Sequence, residues 1–159
     1  MDDQLFETIY NQTARPLWAY VARISGNASA ADDILQETYL RYLSARRRPN
    51  DVNEAKSYLY KIATNLVYDR FRNLNRRSET VIEESQQTFE NTVAVDMELT
   101  QVFSRLKEEE RVLLWLAYVE GCDHGEIARI SNVKKLSVKV LLYRARRKLA
   151  QLIEGKKYE

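Results

Sequence analysis

Along the chain, apolar residues recur at steps of three and four, the spacing of helices with one buried side. Residues 4–24 carry Leu5, Phe6, Ile9, Tyr10, Leu17, Tyr20, Val21 and Ile24 on such a side, with Pro16 inside as a point of kinking or restart. Gly26 and Asn27 close this segment, and Ser29 is the expected N-cap of the next. The second helix, 30–45, turns Ala31, Ile34, Leu35, Thr38 and Tyr42 to one face. Its other face gathers Asp33, Gln36, Glu37 and Ser44 around Leu40, with Leu43 at the edge. A loop opening on Arg46-Arg47-Arg48-Pro49 continues to about Ala55. A third helix, 56–77, buries Leu59, Ile62, Ala63, Leu66, Val67 and Leu74, while Lys61, Asn65, Tyr68, Arg72 and Arg76 line up on the opposite side.

The periodicity fails over residues 78–95, an acidic stretch without Gly or Pro that reads as a flexible or partly extended linker. A helix resumes at 96 with Met97, Leu99, Val102, Phe103 and Leu106, and an apolar segment, Val112 to Val119, follows. Gly121 ends that segment, and Asp123 with Glu126 forms a capping box for a short helix with Ile127, Ala128 and Ile130 inside. Ser131, Asn132 and Val133 make a turn into a longer helix from about Lys134, whose inner stripe is Val138, Leu142, Ala145 and Leu149. The rest of its surface is cationic, and no acid interrupts 132–151. This is a helix-turn-helix pattern, whose second helix can enter a DNA major groove; a helical hairpin with a solvated basic face has the same spacing. The expected fold is all-α: two small helical domains, 1–76 and 96–155, joined by a flexible linker at 77–95, the C-terminal domain a helix-turn-helix.

Composition narrows the function. The chain has 159 residues, 45% hydrophobic and 30% charged, enough to bury a core and stay soluble. The longest apolar run is too short to span a bilayer, no signal sequence opens the chain, and a single cysteine supports no disulfide framework. No membrane insertion and a cytoplasmic location are therefore expected. Cys122 and His124 are too few ligands for a zinc site, and neither a Gly-rich phosphate loop nor a nucleophile with a His base is present. No metal, cofactor or catalytic activity is expected. Charge is unevenly spread: 11 Lys and Arg face 9 Asp and Glu over 1–76, 1 faces 5 over 77–96, and 13 face 9 over 97–159. Two basic lobes flanking an acidic connector suit a polyanionic partner touched at two places.

The stripe Lys61, Asn65, Tyr68, Arg72 and Arg76 combines what single-stranded nucleic acid requires: cations for phosphates, an aromatic for stacking, an amide for a base edge. Asp69 steadies the neighbouring Arg72 and Arg76 by local pairing. The leucine framed by acids and amides on the second helix has the character of a protein-docking surface. Each face reads equally well, on pattern alone, as solvated surface.

Three motifs resemble bacterial RNA polymerase sigma factors. Asp33-Ile34-Leu35-Gln36-Glu37 followed by Leu40 resembles their polymerase-binding helix. Tyr58-Leu59-Tyr60-Lys61-Ile62-Ala63-Thr64-Asn65, with Asp69 and Arg72 beyond, is similar to the promoter-melting helix of region two. Glu126-Ile127-Ala128, Val138-Lys139 and Tyr143-Arg144-Ala145-Arg146-Arg147-Lys148-Leu149 resemble region four. With only regions two and four, the chain is identified as a member of the extracytoplasmic-function group. The resemblance implies that Asp33, Gln36, Glu37 and Leu40 bind the β′ clamp helices of core RNA polymerase, with the β subunit a further contact. It implies that Lys61, Asn65, Tyr68, Arg72 and Arg76 hold the displaced minus-ten strand, and that the loop 46–55 corresponds to the one that captures a flipped base. Lys135, Ser137, Lys139, Val140, Tyr143, Arg144 and Arg147 would meet the minus-thirty-five duplex, with Lys148 among the phosphate-gripping cations. An anti-sigma factor is a further partner the resemblance allows.

Region four departs from the family pattern. Where a Gly-Thr pair and then Val-Lys-Ser-Arg are usual, the chain has Leu136-Ser137 and Val138-Lys139-Val140-Leu141. Leu136 and Val140 point outward on a helical wheel, and Leu141 falls at the core edge. Either the promoter is read through thymine methyls or this face docks a protein. A stand-alone helix-turn-helix regulator and a sigma-like interaction module with weakened DNA reading are the alternative functions.

Overall fold

The computed structural model describes residues 3–77 and 97–157, in which seven helices and no strand occur. Two compact units divide the chain, Met1–Gln87 and Thr88–Glu159. Beyond residue 77, the expected connector at 77–95 lies outside the described residues.

In the first unit three helices, α1 (Asp3–Ser25), α2 (Ala28–Ser44) and α3 (Val52–Arg77), pack on one another. Their shared core holds Ile9, Leu17, Tyr20, Ile24, Tyr42, Leu59, Tyr60 and Val67, all buried. Aromatic rings extend it, with Tyr20 and Tyr60 centroids 4.9 Å apart and Tyr10 and Tyr39 5.0 Å apart. Hydroxyl pairs stitch the bundle: Tyr20 to Thr64 at 2.7 Å between α1 and α3, and Tyr39 to Thr13 between α2 and α1. At the rim the Trp18 indole donates to the Asp32 carboxylate at 2.8 Å.

Local chemistry corrects three expectations. α1 runs through Pro16 without restarting. The missing N–H deprives only the carbonyl of exposed Gln12, which water can reach, while buried Thr13, Leu17 and Tyr20 hold both sides of the proline. Asn27, rather than Ser29, caps α2: Gly26 at φ 71° turns the chain, and the Asn27 side chain accepts from the Ala30 N–H at 3.1 Å. Ser29 lies exposed in the first turn. α3 starts at Val52, about one turn before the expected start at Lys56, with the Ala55 N–H donating to the Asp51 carbonyl at 2.8 Å.

The second unit comprises α4 (Met97–Ser104), α5 (Glu108–Tyr118), α6 (His124–Ser131) and α7 (Lys135–Lys157). Val112, Leu116, Ile127, Ile130, Val138, Leu142 and Ala145 are among its buried residues along α5 to α7. Leu106, expected on the helix that starts near 96, falls past the end of α4 in a turn where its N–H meets the Phe103 carbonyl at 3.1 Å. It still reaches the core, packing with Leu114 and Ala145 against Phe103, Leu149 and Leu152, whereas Leu99 is exposed. Arg111, only 5% exposed, donates from Nη1 to the carbonyls of Ser104 (3.1 Å) and Leu106 (2.6 Å), closing the open end of α4. Burial pulls its pKa down, and Glu108, Glu109 and Glu110 pull it back up. Trp115 of α5 lies 6.3 Å from Phe103.

The turns of the helix-turn-helix follow from single residues. Gly121 at φ 67° ends α5, and the next N–H, from Cys122, returns to the Leu116 carbonyl at 2.9 Å. The Asp123 side chain accepts from the Glu126 N–H at 2.8 Å and starts α6. Asn132, at φ 61°, stops α6 in the left-handed region that asparagine tolerates better than most residues.

Candidate functional site

On α2 the residues Asp33, Gln36, Glu37 and Leu40 are all exposed, because Ile34, Thr38 and Tyr42 take the opposite side into the core. Leu40 is 56% exposed. Asp33 and Glu37 also rim an open groove of about 490 Å3 between α2 and α3, floored by Ile34, Leu66 and Leu74. Gln36 and Leu40 sit outside its lining. The far rim is Asp69, Arg70 and Asn73, and Arg41 joins the near rim, its Nε 3.0 Å from the Glu37 carboxylate. An apolar floor with a mixed-charge rim can seat an amphipathic protein segment. Arg41, Arg70 and Asn73 escaped the sequence reading; Arg41 was within reach of it as the i+4 partner of Glu37.

The α3 stripe is present as a surface: Lys61, Asn65, Arg72 and Arg76 are exposed and Tyr68 is half-buried. At ~1.5 Å per residue it runs roughly 22 Å. Arg72 pairs with Asp69, so one carboxylate joins this stripe to the groove. The preceding loop, 45–51, is tethered from both sides: Arg48 Nη1 donates to the Leu43 carbonyl at 2.8 Å, and the Tyr42 hydroxyl donates to the Pro49 carbonyl at 3.2 Å. Arg46 and Arg47 remain exposed. Burial pushes the Tyr42 pKa up, opposed by Arg48 and helped by Tyr58, which favours the protonated donor.

On α7, Lys135, Lys139, Val140, Tyr143, Arg144 and Arg147 are exposed, while Ser137 is half-buried in the first turn. Lys148 departs from expectation. Its Nζ lies 3.2 Å from the Glu110 carboxylate on α5, so packing directs it towards the bundle. Arg146 likewise donates to the Tyr118 hydroxyl at 2.6 Å. Leu136 is 93% exposed, Val140 49% and Tyr143 54%, and the Arg147 guanidinium reaches the Tyr143 hydroxyl at 3.3 Å. Leu141 is half-buried at the core edge.

Among the described residues no group of three His, Cys, Asp or Glu could hold a metal ion, and no helix is long and apolar enough to cross a membrane. Cys122 is half-buried and His124 exposed at the start of α6.

Residues 9–77 match the family model for sigma-70 region 2, and residues 96–149 that for sigma-70 region 4. The chain belongs to the sigma-70 family. Its relatives place it in the extracytoplasmic-function (ECF) group. The ECF RNA polymerase sigma factor SigL of Mycobacterium tuberculosis is 28% identical over 156 residues, 91% of this chain and 86% of that one. The RNA polymerase sigma factor SigZ of Bacillus subtilis is 28% identical over 160 residues, covering 94% and 87%. The fold is that of the sigma factor RpoE of Bartonella quintana, solved in complex with the anti-sigma factor NepR, at a TM-score of 0.74 and 19% identity over 94% of this chain and 96% of that one. In this sigma factor, region two spans α1 from Ile9 to the end of α3, and region four takes in α4, α5, α6 and α7 as far as Leu149.

Proposed function

We propose how the chain performs the work of a sigma factor, which is to bind core RNA polymerase, direct it to promoters and help open them. The outward face of α2, with Asp33, Gln36, Glu37 and Leu40, docks on the clamp helices of the β′ subunit, and region four meets the β subunit. The α3 stripe of Lys61, Asn65, Tyr68, Arg72 and Arg76 holds the displaced minus-ten strand, and the tethered loop 45–51 offers Arg46 and Arg47 beside it. The first turns of α7, through Lys135, Ser137, Lys139, Val140, Tyr143, Arg144 and Arg147, lie in the minus-thirty-five major groove. Domain bounds of 1–76 and 96–155 go with this division of labour. The chain carries no chemistry of its own; the polymerase supplies catalysis, in the cytoplasm. The capture of RpoE with an anti-sigma factor supports a protein of that kind as a further partner here.

The observation that carries this reading is the presentation of the region-two motif residues: an acidic face with a bare leucine on α2 and a cationic, amide-bearing stripe on α3. The test is transcription in vitro from candidate promoters with core polymerase, with and without the chain. Promoter-dependent transcripts are expected only with it. A stand-alone regulator or a sequestering module would yield none.

A further inference from the structure

On the exposed face of α7, Leu136, Val140, Tyr143 and Arg147 form one stripe, and its first three members are the apolar ones. Leu136 is the second residue of the helix and 93% exposed, so nothing in its own unit covers it. Its neighbours decide what does. At about 100° of turn per residue, Lys139 and Lys135 lie roughly 60° and 100° to one side of Leu136, and Arg144 about 80° to the other. All three are exposed, and no acid occurs between Asn132 and Gln151. An apolar ridge with cations of one sign down both flanks matches a groove with an apolar floor and a phosphate wall on each side. A major groove about 12 Å wide is such a place wherever its floor carries the C5 methyl groups of thymine. An apolar protein cleft would instead strip water from cations on both sides without returning charge.

We propose that region four reads its duplex through thymine methyls, Leu136 and Val140 packing on the methyls of neighbouring base pairs while Lys135, Lys139 and Arg144 hold the flanking phosphates. The N-terminal turns of a recognition helix are the part that meets base edges, and Leu136 and Val140 occupy the first two. From Leu136 to Tyr143 the helix rises ~10 Å, about three base pairs of duplex. The preference is therefore for a short thymine-containing step, read by shape and apolar contact. The inference rests on the reading of region four as a duplex binder.

The test selects duplexes bound by the full chain from a random pool and remakes the winner with deoxyuridine in place of every thymidine. Each lost methyl should cost about fourfold, the equivalent of one buried CH2, so two contacts weaken binding about tenfold or more. In the Leu136→Ser, Val140→Ser double variant the thymidine and deoxyuridine duplexes should bind alike. Both substitutions are at exposed positions, and an unchanged circular dichroism spectrum establishes that the variant folds. A wild-type chain that enriches a sequence but binds its deoxyuridine form equally well overturns methyl reading and leaves duplex binding standing. A chain that enriches no sequence overturns both and leaves an acidic protein partner as the occupant of this face.

Discussion

Thr13 has one hydroxyl proton, and it goes to the Ile9 carbonyl 2.7 Å away. The Tyr39 hydroxyl must therefore be the donor in its bond to Thr13. The pair is buried, so the two ways of breaking it are unequal. Tyr39→Phe leaves Thr13 satisfied within α1 and should cost about 0.5–1.5 kcal/mol, whereas Thr13→Val removes the acceptor of a buried hydroxyl and should cost about 1–3 kcal/mol. Urea denaturation of the two variants ranks them, and the reverse order would mean the donor has been misassigned. The same burial raises the pKa of Tyr39, helped by Tyr10, and raises that of Tyr42. An unfolded tyrosine ionises near ~10. Both groups are protonated in either state below that value, and their contribution is fully present there. As pH climbs past it the unfolded chain loses protons first, so stability falls and the contribution is gone once pH passes the raised folded values. Denaturation midpoints for the bundle should decline above pH ~10, less steeply in Tyr39→Phe. No spacing rule pairs Thr13 with Tyr39; their meeting depends on how α1 crosses α2.

Each helix presents a surface that its own periodicity sets, and those surfaces were legible. The outward face of α2 and the stripe on α3 emerged where the apolar steps put them, because a helix with one strong core side leaves little freedom to the other. If the α2 face binds polymerase, Asp33→Arg with Glu37→Arg should abolish retention of the chain by core enzyme in a pull-down. The fold should remain, at a cost within roughly 0.5 kcal/mol for each exposed position. On α3, Asn65→Ala and Arg72→Ala should impair promoter opening more than closed-complex formation, since base edges become available only after unpairing. Permanganate reactivity across the minus-ten element reads this directly; wild-type reactivity in both variants would reduce the stripe to a solvated surface. What the sequence hid lies between elements. Arg41, Arg70 and Asn73 become groove residues only once α2 lies on α3, and Lys148 leaves the cationic face only because α5 brings Glu110 to it. The α2 start was misplaced for a local reason. Asn27 and Ser29 are both good caps, and the left-handed Gly26 decides between them by turning the chain early.

Over the whole chain the net charge of +2 conceals the concentration of cations on α7 and along α3. The all-α class and the division into two lobes were legible in the sequence, since both depend on periodicity and on where it lapses. The two compact units each have their own buried residues, so damage to one should stay there. Arg111→Leu leaves the carbonyls of Ser104 and Leu106 without their guanidinium donor, and should destabilise region four by about 2–3 kcal/mol. Calorimetry should then show the transition of region four lowered and that of region two unmoved; a shift in both would mean that the units unfold as one. The chain has two tryptophans, and they fall one to each unit: Trp18, its indole held on Asp32 one residue before the exposed acidic face of α2, and Trp115, beside Phe103. The molecule thus carries a separate intrinsic fluorophore in each half. Replacing either with phenylalanine isolates the emission of the other. Trp18 emission should then shift when core polymerase takes the α2 face, and Trp115 emission should follow region four, with no dye attached to either.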